Sequence, residues 1–398
     1  MKHILFTLFL SIIICDAHAQ IVTIPDVNFK NVLLNDPSIN TNADTEIQVS
    51  EAQVTLDLFF YYEAIIDFTG LEAFVNLQSL TIEGELATTI DLSANLSLTN
   101  LSIVVTPIEI LDLSNNTQLQ TLELVANELS ALDLSANLQL GYIYFFNNPV
   151  TDLNLGTNTA LEELIVSSNV ILPTIDVSGN TSLTKIEVVN NAMTSFDVSN
   201  NLNLEILRTY GNNLLELDVS NNLMLKELNT MFNQISSLDL SANIHLDWFN
   251  ARNNQLETLD ARNGNNDLFI NFNVLNNPNL DCILVDDPTA PYLLSWSVDQ
   301  DTLFGSTTQN CQPLVLDDNE VLSQYYYPNP VQKTLFIEST KPLVELYVYS
   351  SSGAILIKQT SSQPKLLYQI DLSSLTTGVY YLKTVTTNSS GIKKIVKY

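Results

Sequence analysis

Residues 119–140 read LQTLELVANELSALDLSANLQL. Leu122 and Leu124 are separated by one residue, Asn127 follows three later, and Leu129 lies just beyond. A period of two is that of a short strand with both apolar side chains on one face. Asn at that offset suits a turn, because its amide can bond its own backbone or that of a neighbouring segment. The second half, Leu132-Asp133-Leu134-Ser135-Ala136-Asn137, repeats the phrase. Neither half leaves room for a long helix.

Outward from this stretch the frame L-x-x-L-x-L-x-x-N-x-L recurs. It stands at Leu161, Leu164, Val166, Asn169, Ile171, then at Leu183, Ile186, Val188, Asn191, Met193, and partly at Leu225, Leu228, Asn233, Ile235. First positions fall at Leu77, Leu98, Leu119, Leu140, Leu161, Leu183, Leu204, Leu225 and Leu246, spaced by 21 residues with one step of 22. The second-half phrase runs from Ile90-Asp91-Leu92-Ser93 to Leu238-Asp239-Leu240-Ser241, with Asn95, Asn116, Asn137, Asn180, Asn201, Asn222 and Asn243 two residues after Ser. One such unit cannot bury its apolar face alone, and stacking buries the Leu columns between coils. Nine coils at ~4.8 Å per strand give a core about 43 Å long.

These residues resemble the leucine-rich-repeat family, in its short bacterial class with nested 21-residue repeats, over roughly residues 74–280. The resemblance implies a curved solenoid, flattened where a strand replaces the convex helix. Glu85 and Thr106 replace the frame's Asn in the first two copies, Asn154 and Gly156 replace Asp and Ser in the fourth, and the ninth dissolves at Asp260-Ala261-Arg262.

An open solenoid must be capped. Residues 20–73 are expected to form the N-terminal cap. Within it, residues 25–36 read as a helix with Asp26 as N-cap and Phe29, Val32 and Leu33 as its apolar stripe. Asn40 to Glu51 then resembles an EF-hand calcium loop, with Asn40, Asn42, Asp44, Glu46 and Glu51 as the residues that would hold the ion. Asn at the first position and Thr45 at the sixth depart from that pattern. The alternative is a polar loop leading into a short helix at Ser50-Glu51.

At the other end, residues 281–322 are expected to form a C-terminal cap and linker. Cys282 and Cys311 are an even pair in an exported chain, which implies a disulfide, with two buried thiols as the alternative. Such a bridge would stabilise by ~3 kcal/mol.

Residues 323–398 form a separate module. Tyr327-Pro328-Asn329-Pro330, Leu335-x-Ile337, Leu346-x-Val348, Leu375-x-x-Gly378-Val379-Tyr380 and Lys393, Lys394, Lys397 alternate as in a small antiparallel β-sandwich. The motifs resemble, in order, the type A C-terminal sorting domain of the type IX secretion system. That implies engagement of the type IX machinery and passage through the outer membrane of a Gram-negative cell, with release or attachment at the surface.

The N-terminus agrees with export. Lys2, the apolar run Ile4 to Cys15 and the Ala17-His18-Ala19 site read as a signal peptide over residues 1–19. A lipoprotein reading through Cys15 meets the bulky Ile14 just before it. No later run is long enough for a transmembrane helix.

Charge is divided between the modules. Residues 21–322 hold six Lys and Arg against forty acids, a net of −34, whereas residues 323–398 hold eight Lys against three acids, a net of +5. The acidic part repels phosphate backbones, so nucleic acid is not an expected partner.

Residues for chemistry are scarce. His245 is the one His after the signal, beside Leu246, where a solvated turn residue is expected. No Ser/His/Asp set, zinc spacing or Gly-rich phosphate loop stands in the chain, so a binding protein is expected in place of an enzyme. The Asp column (Asp91, Asp112, Asp133, Asp176, Asp197, Asp218, Asp239, Asp260) fits turn hydrogen bonds or loose divalent-cation binding. Outward strand positions carry Tyr142, Tyr144, Phe146, Arg208, Tyr210, Met231, Trp248 and Arg252. Aromatics and Arg are typical interface anchors, and aromatics equally suit sugar rings. The expected function is binding of a protein or glycan at the surface; the alternative is a structural surface-layer component acting through divalent cations.

Overall fold

The computed structural model describes residues 20–169, 172–300, 302–307, 324–351, 353–386 and 390–398. The signal segment, Ile171, Cys311 and most of the expected linker lie outside the described residues. The chain divides into two compact units, Met1–Cys311 and Gln312–Tyr398.

The first unit opens with helices α1 (Val27–Asn35) and α2 (Val49–Val54). The strands then follow in chain order: β1 Asp57–Tyr61, β2 Ser79–Glu83, β3 Asn100–Val104, β4 Thr121–Val125, β5 Tyr142–Phe146, β6 Glu163–Ser167, β7 Lys185–Val189, β8 Ile206–Arg208, β9 Glu227–Asn229, β10 Ser237–Asp239, β11 Trp248–Asn250, β12 Thr258–Asp260, β13 Asn271–Asn273, β14 Cys282–Leu284 and β15 Leu303–Gly305. One coil follows another in the same direction, so the ladders are parallel throughout. β1 to β9, β11 and β13 form one eleven-stranded sheet, and β10, β12, β14 and β15 a second of four strands.

The solenoid therefore extends beyond nine coils. β1 and β13 add one at each end, and both lack the first Leu of the frame: Thr55 stands three residues before Leu58 of β1, and Phe269 three before Phe272 of β13. A frame keyed on that Leu passes over them. The expected second-side strand forms only toward the C-terminal end. In the earlier coils the Asp-Leu-Ser segments lie outside any ladder, apart from the bridge Thr89↔Ile110. Pairing on one side and little on the other lets coils fan apart there, so the long sheet is the expected concave side.

Three columns hold the coils together. The first is the apolar core, which runs unbroken from Val22 to Trp296. The second is Asn. Asn137 Nδ2 donates to Leu113 O and Asn116 O at 3.0 and 2.9 Å, and Asn95, Asn116, Asn158, Asn180, Asn201, Asn222 and Asn243 do the same in their coils. Each amide closes two carbonyls of the preceding coil that no strand ladder reaches. The third is a column of left-handed residues just past the concave strands: Tyr62, Gly84, Val105, Ala126, Asn147, Ser168, Asn190, Gly211, Phe232, Asn253 and Asn276, with φ between 49° and 71°. The left-handed turn aims the N–H along the solenoid axis; Val105 N, for example, donates to Val125 O at 2.8 Å.

The second unit contains β16 Gln324–Tyr327, β17 Thr334–Ser350, β18 Ile355–Asp371, β19 Gly378–Thr386 and β20 Ser390–Lys397. All pair antiparallel, and irregularities around residues 338–345 let β17 serve β16 with its first half and β19 with its second. The core comprises Leu335, Ile337, Leu346, Val348, Ile370, Leu382 and Ile395 among others. Two sequence motifs acquire a structural reason. Asn329 clamps the last strand, donating to Lys394 O at 3.0 Å and accepting from Val396 N at 2.8 Å. Tyr380 is buried and donates to Thr376 O at 2.8 Å, closing the turn before β19.

Candidate functional site

The register of the long sheet sets out its solvent face in three columns. Strand burial alternates: Ile143 and Phe145 of β5 point inward, so residues 142, 144 and 146 point outward. Tyr142 stands between Thr121 and Glu163, Tyr144 between Glu123 and Ile165, and Phe146 between Val125 and Ser167. The rings of Tyr144 and Phe146 are 6.4 Å apart, tilted by 48°. Burial first, then the carboxylates of Glu123 and Glu163, push the Tyr142 phenol above its ordinary pKa. Trp248 lies on the Tyr142 column further along, opposite Glu227. Tyr210, Met231 and Arg252 continue the Phe146 column past Ser167 and Val189, as their carbonyls accept from Asn190 N, Gly211 N and Phe232 N in turn. All eight residues picked from the sequence thus share one sheet face.

They are not equally available. Arg208 faces Glu187 across the ladder. Its Nε and Nη2 reach Glu227 at 2.6 and 2.9 Å, and its Nη1 reaches Glu187 at 2.9 Å. The Glu227 bond, opposed by burial and aided by Glu187, raises its proton affinity further. Lys185 pairs with Glu187 at 3.1 Å and Glu163 at 3.5 Å. The centre of the face is a charge network internal to the protein. Arg252 sits over the Phe232 ring at 5.3 Å.

In the cap, Asp26 is the N-cap of α1 as expected. Its Oδ1 accepts from Asn28 N and Phe29 N, and its Oδ2 from Ile66 N and Asp67 N. The polar loop is brought together by its own hydrogen bonds. Glu51 Oε1 accepts from Thr41 N, Thr41 Oγ1 and Asn42 N, and Oε2 from Gln48 N, in a capping box that opens α2. Asn42 Nδ2 bonds Asp44 Oδ2 and Gln48 Oε1, Asp44 Oδ1 accepts from Glu46 N, and Asn40 Nδ2 bonds Leu34 O and Asp44 O. Lys30 holds Glu46 at 2.6 Å. Burial pushes the Glu51 carboxyl up, but these donors outweigh it and keep the group below the usual range.

The Asp column has a turn role. Oδ1 of Asp91, Asp112, Asp133, Asp176, Asp197, Asp218 and Asp239 each accepts the N–H of the Ser two residues on, at 2.8 to 2.9 Å. Asp260 does this for Arg262, and Asn154 for Gly156. His245 is exposed. Among the described residues no group of three His, Cys, Asp or Glu could hold a metal ion, and no helix is long and apolar enough to cross a membrane. Cys282 begins β14; its expected pairing lies on Cys311, outside the described residues.

Sequence reasoning missed one feature of this face. Phe59, Tyr61 and Tyr62, on and just past β1, are all more than half exposed. The alternation in Asp57–Tyr61 was there to be read, but no copy of the Leu frame covers it.

This geometry defines a class: a leucine-rich-repeat solenoid followed by an export module. Residues 325–398 match the family model described as the secretion system C-terminal sorting domain, and the chain carries that type IX sorting domain. The structure is similar to the functional domain of InlJ from Listeria monocytogenes, with 19% identity, TM-score 0.58, and 96% of this chain and 100% of that one covered. It is also similar to an internalin, InlF, from the same organism, with 23% identity, TM-score 0.53, and 73% and 92% covered. These likenesses establish the solenoid fold. No curated protein matches the chain significantly in sequence.

Proposed function

We propose that this is an adhesion or interaction protein that reaches the surface of a Gram-negative cell through the type IX machinery, released or attached there, and binds a protein or glycan on its concave sheet. The observation that supports it is the alignment of Tyr142, Tyr144 and Phe146 with Tyr210, Met231, Trp248 and Arg252 on one continuous parallel face. A face built of ladder-paired strands is rigid, and aromatics on it gain contact area at little conformational cost. The fold on which this face is built is shared with InlJ and InlF.

The test is direct. Immobilised full-length protein is probed with arrayed glycans and with purified cell-surface proteins. A saturable ligand should be lost, or weakened by at least about tenfold, in Tyr144→Ala and in Phe146→Ala. A ligand held equally well by both variants would move the site off this face. Arg208→Ala is expected to act through loss of the Glu187 and Glu227 pairs, so it reports on the scaffold as well as on contact.

A further inference from the structure

Tyr62 occupies the left-handed column at φ 53°, a conformation that an aromatic residue seldom adopts. Its ring lies on Gly84, where an added Cβ would collide with it. Tyr61 meets it edge-on, with centroids 4.8 Å apart at 77°, and Phe59 stacks beside Tyr61 at 6.0 Å and 13°. Phe59, Tyr61 and Tyr62 are 59%, 53% and 56% exposed. They form an ordered aromatic cluster that the core does not use.

The surroundings are acidic. Asp57 shares the outward face of β1 with Phe59 and Tyr61, Glu83 stands opposite Tyr61 in register, and exposed Glu63 follows Tyr62. Carboxylates beside aromatic faces favour a cation. The same solenoid shows that chemistry elsewhere. Phe232 holds the position of Tyr62 in the left-handed column, and its N–H bonds the carbonyl of Arg252, whose guanidinium covers the Phe232 ring. The N–H of Tyr62 bonds Glu83 in the equivalent way. At that place in the coil the cation is replaced by a carboxylate.

Nor does another part of this unit supply one. Lys30 pairs with Glu46, Lys185 with Glu163 and Glu187, Arg208 with Glu187 and Glu227, Lys226 with Glu205, and Arg262 with Asp260. With Arg252 these are the six basic side chains of residues 21–322.

We propose that Phe59, Tyr61 and Tyr62, rimmed by Asp57 and Glu83, receive an Arg or Lys side chain from a basic polypeptide partner. The site lies four strands from Tyr144, about 19 Å along the sheet, and goes beyond the binding face proposed above.

The experiment is titration calorimetry of the full-length protein at ~0.15 M salt, where long-range attraction is largely screened. The probe is a decapeptide of alternating Arg and Ser, compared with a Gln-Ser decapeptide and a neutral N-acetylglucosamine hexamer. The Arg peptide should bind and the Gln peptide should not. Phe59→Ala with Tyr61→Ala should weaken it about tenfold, and so should Phe59→Leu with Tyr61→Leu, which keeps apolar bulk and removes the π faces. Glu83→Gln should weaken it, while Tyr144→Ala leaves it unchanged, so the two sites fail independently. Unchanged affinity in both ring variants would overturn the proposal and assign the binding to diffuse acidic charge. Ring-dependent binding of the neutral hexamer without binding of the Arg peptide would overturn it in favour of a glycan.

Discussion

At the residue scale the cap carboxylates have the sharpest consequences. Asp26 and Glu51 are both held below the usual carboxylate pKa: burial raises each, and the surrounding N–H and O–H donors outweigh it. A carboxylate with a depressed folded pKa contributes stability above its unfolded value of about 4, and that contribution is lost as pH falls through the folded one. Urea unfolding should therefore show constant cap stability near neutral pH and a decline below about pH 4, a decline blunted in Asp26→Asn and Glu51→Gln. Glu51→Ala, which removes the acceptor of four donors, should cost about 2–3 kcal/mol, equally with calcium and with chelator. A calcium-dependent rise in the unfolding midpoint that Glu51→Gln abolishes would instead place an ion among Asn40, Asn42, Asp44, Glu46 and Glu51. The left-handed column gives a prediction of opposite sign. Val105 sits there at φ 49° and is about half exposed. Asn occupies the same column at 147, 190, 253 and 276. Val105→Asn should stabilise by about 1 kcal/mol, read as a shift in the urea midpoint at constant slope.

At the element scale the coil is the unit of stability, and the Asn columns show what joins one coil to the next. Asn137→Ala removes the inter-coil donor from Leu113 O and Asn116 O, which keep only the local N–H groups of Asn116 and Leu119. The expected cost is about 1–3 kcal/mol for the two buried hydrogen bonds, whereas Ser135→Ala, on an exposed turn, should cost under 1 kcal/mol by the same measure. The Asn columns were legible because the side chain that bridges coils must recur with each coil. The same holds for the inward Leu, whereas the outward aromatics of β5 were legible through their alternation with Ile143 and Phe145. What could not be read lies where the repeat bends its own rule. β1 and β13 have Thr55 and Phe269 in place of the frame's first Leu, and the left-handed column tolerates Tyr, Phe, Val, Ala and Ser as well as Gly and Asn, so no residue type marks it. The Asn40–Glu51 loop shows the converse limit: its spacing fits a calcium loop, and the same Glu at that offset completes a capping box, so one pattern serves both readings.

At the scale of the whole molecule, the division of charge agrees with a division of labour. An acidic solenoid that presents rings and carboxylates is suited to capture of a partner, and the basic module has a hydrophobic core of its own. The sorting module is then expected to govern where the protein goes and not how it binds. Deleting residues 324–398 should leave the thermal transition of the solenoid within a degree or two, because no core residue is shared among the described residues. In the producing cell the same deletion should trap the protein inside the outer membrane, measured by fractionation and by protease protection of intact cells. Asn329→Ala offers the finer version. It removes both hydrogen bonds that clamp β20, worth about 1–3 kcal/mol together, from a module with a small core. Export should fall in proportion to the unfolding of that module while ligand binding by the purified protein is unchanged. Loss of binding in the Asn329→Ala protein would mean that the two units act as one.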